Sequence, residues 1–214
     1  MKRRRYGYDP AAALAHLQAA DPTLHELIVR VGPFALELHA AKSLLESMLR
    51  SIIYQQLHGK AAAAIHGRVL AELEKQGGIT HEAIEHTSDA ALRQAGLSGA
   101  KLAAIRDLAA KCRAGTVPSL SEAQKLSDEE LAERLTTVRG IGPWTVHMLL
   151  IFQLGRPDVM PTGDFAIRLA FKKLYRKRKD PLPAQIVKHA RKWQPYRSIA
   201  SLYLWRSLDP NGGN

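Results

Sequence analysis

The segment Leu135-Thr-Thr-Val-Arg-Gly140-Ile-Gly142-Pro-Trp144-Thr145 sets two glycines around one aliphatic residue, with a proline directly after the second. Pro143 suits the first turn of a helix, and the residues after Trp144 are apolar except Thr145 and His147. Such a turn bares the amides that open a helix, a natural site for a phosphate oxygen. Its glycines allow positive φ and leave room for a close neighbour. A tight αα-hairpin with a glycine cap would look the same, and Gly-x-Gly alone does not separate the two. A second candidate is Asp164, directly after Gly163. Aspartate there commonly caps a helix. It is equally a carboxylate able to stabilise developing positive charge or to hold a water. The single cysteine, Cys112, excludes an intramolecular disulfide, a Cys-only zinc site and a four-cysteine iron–sulfur cluster. Neither His81/His86 nor His58/His66 repeats as a metal site, and the nine histidines read as scattered surface residues.

Charge is distributed unevenly. The 214 residues carry a net charge of +11, and Phe165–Arg206 alone hold twelve basic side chains against one acid, Asp180. That third therefore accounts for the whole excess, which suggests a polyanion partner, most often nucleic acid. A solvated face of a basic protein would show the same count. The longest apolar runs, such as Ala61–Ile65 and Met148–Phe152, are five residues against the ~20 of a membrane span. Met1-Lys-Arg-Arg-Arg5 leads into Tyr6-Gly-Tyr-Asp and not into an apolar stretch. No secretory signal is expected, and the chain is read as cytoplasmic.

Helices must position these residues, because the pattern is helical almost throughout. Asp9-Pro10 caps a helix over 11–20, and Asp21-Pro22 repeats the device before a helix ending at Gly32. Leu44, Leu45, Met48, Leu49, Ile52 and Ile53 keep helical spacing in a helix that is expected to run to about Gln56. Gly59 is expected to interrupt, with helix resuming over Ala61–Leu73. Shorter helices follow Thr80 and Ser88, and another lies between Gly99 and Gly115. Ser127-Asp-Glu-Glu130 is a capping box that opens a helix to about Thr136. Pro143 opens the next, to Gln153, and Asp164 another, to about Tyr175. Two more occupy roughly 183–193 and 196–208. No alternating strand, internal repeat or low-complexity linker appears, so the fold class is all-α.

Val138-Arg-Gly-Ile-Gly-Pro-Trp-Thr145, followed about twenty residues on by Met160-Pro-Thr-Gly-Asp164, resembles the helix-hairpin-helix DNA glycosylases. Within them the chain is most similar to the DNA-3-methyladenine glycosylase II group, which removes alkylated bases. Arg50-Ser-Ile-Ile-Tyr-Gln-Gln56 and Trp193-Gln-Pro-Tyr-Arg-Ser-Ile-Ala200 match two further segments of that group. The resemblance covers roughly Leu44–Arg206, with the hairpin over about 128–153, inside a single domain over 1–214. It implies a two-lobed helical fold with the active-site cleft between the lobes.

Asp164 matches the family's catalytic aspartate. Breaking an N-glycosidic bond develops positive charge on the deoxyribose, which a carboxylate stabilises. Family members that also cleave the strand have lysine where this chain has Trp144, and tryptophan cannot form a Schiff base. The resemblance thus implies a monofunctional enzyme that uses water. Trp144, if it is not simple core packing, is a stacking surface for a flipped base, and cationic alkylated purines favour an electron-rich ring. Tyr196 stands where relatives place a second pocket aromatic. Tyr54 and Tyr203 are further aromatic candidates, with core packing as the default. Met148 replaces a tyrosine of some relatives, which leaves the substrate range open. Gln56 matches the residue wedged into the duplex, with Leu57 the other candidate, in the exposed setting a wedge requires.

The reading is therefore a DNA glycosylase of base excision repair. It would flip out and hydrolyse alkylated bases of the 3-methyladenine and 7-methylguanine class, leaving an abasic site. The alternatives are a glycosylase for uracil or hypoxanthine, or a non-catalytic damage-binding protein that kept the hairpin. Damaged double-stranded DNA is the expected partner of a monomeric chain, held through Gly140, Gly142, Thr145, Lys172 and Lys173. No membrane partner is expected, and no cofactor beyond a monovalent cation that relatives bind on hairpin backbone carbonyls.

Overall fold

The structure is a computed structural model that describes residues 6–39 and 41–209; the basic segment 1–5 lies outside the described residues. Among the described residues there are α-helices and one 3-10 helix, and no strand. They are α1 (Pro10–Ala20), α2 (Pro22–Val31), α3 (Leu44–Tyr54), α4 (Gly59–Glu74), α5 (His81–His86), α6 (Asp89–Gln94) and α7 (Gly99–Arg113). There follow α8 (Leu120–Ala123), α9 (Asp128–Thr136), α10 (Pro143–Phe152), α11 (Phe165–Leu174), α12 (Pro183–His189), the 3-10 turn Ala190–Trp193, and α13 (Arg197–Arg206).

Local chemistry explains most of these boundaries. Asp9 and Asp21 cap α1 and α2 by accepting from Ala11 N at 3.0 Å and Leu24 N at 3.3 Å, each with proline at the first helical position. The Ser127 capping box is complete, with Ser127 N donating to Glu130 Oε2 at 2.8 Å and Glu130 N to Ser127 Oγ at 3.1 Å. Two expectations need correction. Helix α3 stops at Tyr54, before the Gln56 expected, because Gln55 is extended and Gln56 turns left-handed at φ 56°. Gly59 opens α4 instead of interrupting it. A short helix unseen in the sequence, α8, is held by a second capping box at Ser119 and Glu122.

The chain divides into two compact units. One runs from Ala41 to Val146. Its core lies where α7 packs on α3 and α5, and Leu49, Ile52 and Ile53 of α3 and Ile105 and Leu108 of α7 are all buried. Leu131, Leu135, Val138 and Ile141 anchor the hairpin by burial. The other unit joins α1 and α2 to the chain from His147 onward, around Phe171, Trp193, Tyr203 and Leu17.

This second core contains a carboxylate, Asp21, only 2% exposed. Its Oδ2 accepts from Tyr175 Oη at 2.6 Å and Trp193 Nε1 at 2.9 Å, and meets Lys192 Nζ at 2.9 Å and His189 Nε2 at 3.2 Å. Burial pushes its carboxyl up, but the hydrogen bonds from Tyr175, Lys192, Trp193 and Leu24 N outweigh burial and hold it below the usual carboxylate range. Among the described residues no helix is long and apolar enough to cross a membrane.

Candidate functional site

In the unit spanning Ala41–Val146, the hairpin joins α9 to α10. Val138 N donates to Leu135 O at 3.1 Å and Ile141 N to Val138 O at 3.0 Å, so the chain reverses within a few residues. Gly140 lies at φ 79°, and a Cβ on it would stand 3.6 Å from the Ala104 Cβ of α7. Gly142 differs: its φ is not positive, and no atom lies within 4 Å of where its Cβ would be. The expected backbone freedom therefore applies to Gly140 alone, while neither φ nor any neighbour in the chain requires glycine at 142. Helix α7 braces the turn from behind. Asp107 Oδ2 accepts from Arg139 N at 2.7 Å and pairs with Lys111 Nζ at 2.9 Å, and Lys111 also donates to Thr137 O.

Arg139 and Gly140 are exposed at the tip, and Trp144 is 50% exposed one residue into α10. The indole is thus neither fully buried nor fully in solvent. Thr145 is buried at 7% exposure. After α3, Gln56, Leu57 and His58 are exposed, Leu57 at 38%. Tyr54 is only partly available: the Arg50 guanidinium lies 4.1 Å from its ring centre and donates to its hydroxyl at 3.0 Å, occupying one ring face.

In the other unit, Asp164 caps α11. Its Oδ1 accepts from Ile167 N at 2.9 Å and from the Trp205 indole Nε1 at 3.1 Å. Both of these bonds fall on one oxygen and hold it at the positive end of the helix. Trp205 was invisible to sequence reasoning: a lone tryptophan in a helix carries no spacing signal, and its partner lies 41 residues away. Phe165, directly after Asp164, is 71% exposed.

Tyr196 is partly buried against the core of this unit, with the His16 ring edge-on at 5.5 Å and Tyr8 at 6.4 Å. Met148 is partly buried. Tyr203 is 1% exposed and donates to Gly32 O at 3.2 Å, the core role expected of it. The basic third separates into two sets. Lys192 and Arg197 are tied to Asp21 and Asp158, and Arg206 to the carbonyls of Val31 and Pro33. Lys172 pairs with Asp180 at 2.7 Å, whereas Lys173, Arg176, Lys177, Arg178 and Lys179 are exposed. Burial pushes the Cys112 thiol up to about 11, so it is not a reactive thiolate at neutral pH.

An all-α chain with a braced Gly-x-Gly hairpin, and a helix-capping aspartate after a Pro-Thr-Gly turn, has the parts of a helix-hairpin-helix repair protein. The family model described as HhH-GPD superfamily base excision DNA repair protein matches residues 49–195, and the chain belongs to that family. It is 37% identical over 193 residues to DNA-3-methyladenine glycosylase 1 of Schizosaccharomyces pombe, covering 90% of this chain and 85% of that protein. Among solved structures it is similar to the Schizosaccharomyces pombe 3-methyladenine DNA glycosylase Mag1 in complex with abasic DNA. The TM-score is 0.80 at 36% identity, covering 95% of this chain and 99% of that one. A DNA-3-methyladenine glycosidase from Bacillus halodurans gives a TM-score of 0.84 at 33% identity, covering 95% and 92%.

Proposed function

We propose that this chain is a monofunctional DNA glycosylase that hydrolyses alkylated bases from duplex DNA in base excision repair. The observation that carries the reading is the Asp164 carboxylate, held at the N-terminus of α11 by the Ile167 amide and the Trp205 indole, in a member of this family. In 3-methyladenine and 7-methylguanine the base is already cationic. Its N-glycosidic bond breaks with the electron pair leaving on the base, which becomes neutral, while C1′ of the sugar becomes cationic. Asp164 stabilises that charge, water adds to C1′, and the water proton passes to Asp164 or to solvent. A base that departs this easily needs no dedicated acid. Trp144, half exposed, offers its ring to the cationic base, and it has no amine with which to cleave the strand.

The open space at Gly142 suits a phosphate oxygen against the hairpin backbone, and the exposed cations from Lys173 to Lys179 suit further phosphates. On the hairpin, Thr137 O accepts from the Lys111 ammonium and Gly140 O from the Gln55 amide. Every step above uses the chain's own groups, whether or not a monovalent cation sits on other hairpin carbonyls. The test is base release from duplexes that each carry one lesion: 3-methyladenine, 7-methylguanine, ethenoadenine, hypoxanthine or uracil. Release of the alkylpurines with an intact abasic strand is expected. Release of uracil alone, or borohydride trapping of an enzyme–DNA adduct, would overturn the reading.

A further inference from the structure

At the end of α3 the chain makes an unusual turn. Gln55 is extended, with φ −56° and ψ 132°, and Gln56 lies in the left-handed region at φ 56°, a conformation unfavourable for a non-glycine residue. A helix also ends with carbonyls that have no intrahelical donor. Both problems are met from outside the turn. Lys101, in the first turn of α7, donates its Nζ to Ile53 O at 2.6 Å and to Gln55 O at 2.9 Å. The Gln55 side chain in turn donates Nε2 to Gly140 O at the hairpin tip, at 2.8 Å. One ammonium and one amide thus grip the turn from two sides. The residues directly beyond the grip, Gln56 and Leu57, are exposed.

We propose that Lys101 and Gln55 are positioning residues that hold the DNA wedge, Gln56 or Leu57, in a fixed pose against the hairpin; this rests on the glycosylase reading above. A wedge acts by filling the stack as the lesion leaves it, and a side chain on a loose turn would have to be ordered at that moment. The grip settles that ordering during folding. Burial also holds the Lys101 ammonium below the usual lysine range, since it has exchanged water for carbonyls. Lys101 and Gln55 touch neither base nor sugar in this scheme. Their loss should therefore slow excision where a paired stack must be opened, and much less where it is already open.

The experiment compares wild type, Lys101→Met, Lys101→Arg and Gln55→Ala. Single-turnover release of 7-methylguanine is measured from a matched duplex and from the same duplex with the lesion in a short unpaired bubble. Flipping is followed independently by the fluorescence of a 2-aminopurine placed beside the lesion. Lys101→Met and Gln55→Ala should lose on the order of ten-fold more rate on the matched duplex than on the bubble, with a weakened fluorescence rise. Lys101→Arg should recover part of both. Equal losses on the two substrates, or a full fluorescence rise in Lys101→Met and Gln55→Ala, would show that the grip only supports the fold. Wild-type protein that flips the lesion without releasing it would instead refute the glycosylase reading and leave the fluorescence arm to judge the grip.

Discussion

Replacing Asp164 by asparagine separates catalysis from folding because of where its bonds fall. The bonds from Ile167 N and Trp205 Nε1 end on Oδ1. Asparagine keeps an oxygen there and caps helices about as well as aspartate. What is lost is the charge at the positive end of α11, worth roughly 0.3–1 kcal/mol. The melting temperature should therefore fall only slightly, and affinity for a duplex carrying an abasic-site analogue should hold. The rate has no such protection. The carboxylate matters most when C1′ is cationic, and losing one preorganised electrostatic partner costs about 10²–10³ in rate, or about 2.7–4 kcal/mol. Single-turnover release of 7-methylguanine, with enzyme in excess, reads that loss directly. Trp205→Phe is the internal control: it keeps a ring but removes the donor to Oδ1, and should slow release by about ten-fold, less than Asp164→Asn. If Asp164→Asn releases 7-methylguanine and ethenoadenine at near wild-type rates, Asp164 is a helix cap and nothing more.

Gly140→Ala should lower stability by about 1–2 kcal/mol, because φ 79° is strained for alanine beside the Ala104 methyl. Gly142→Ala should melt like wild type yet bind duplex DNA more weakly, and thermal melts with fluorescence anisotropy tell the two apart. Asp21→Asn should destabilise by about 1–3 kcal/mol, since the buried acceptor of the Tyr175 and Trp193 hydrogen bonds loses its charge. Because the folded carboxyl is held below its unfolded value of about 3.9, Asp21 contributes fully above that pH and loses its contribution as pH falls below it. Denaturant melts of wild type and Asp21→Asn should therefore draw together progressively as pH falls below about 4. Charge reversal of Lys173, Arg176 and Lys177 should weaken binding at all sequences, each lost phosphate contact flattening the salt slope by about 0.9; an unchanged slope would mark a solvated face.

What the sequence by itself determined is what local rules control. Proline at a first turn, a serine with glutamate three residues on, and apolar residues at helical spacing depend on neighbours a few positions away, and α1, α2, α9 and α10 fall close to where those signals put them. The hairpin and Asp164 were legible for the same reason, since their residues stand together in short segments. Tertiary structure decided which partners each group meets. Gly140 sits at φ 79°, a backbone conformation that favours glycine, whereas Gly142 faces no atom of the chain. Tyr54 gives one face to Arg50, Thr145 turns inward, and Lys172 is taken by Asp180 while Lys173 is left to solvent. Trp205 reaches Asp164, and Lys101 the end of α3, across dozens of residues. Such pairings follow from how helices pack, and a long side chain shows no partner in its own neighbourhood of the sequence.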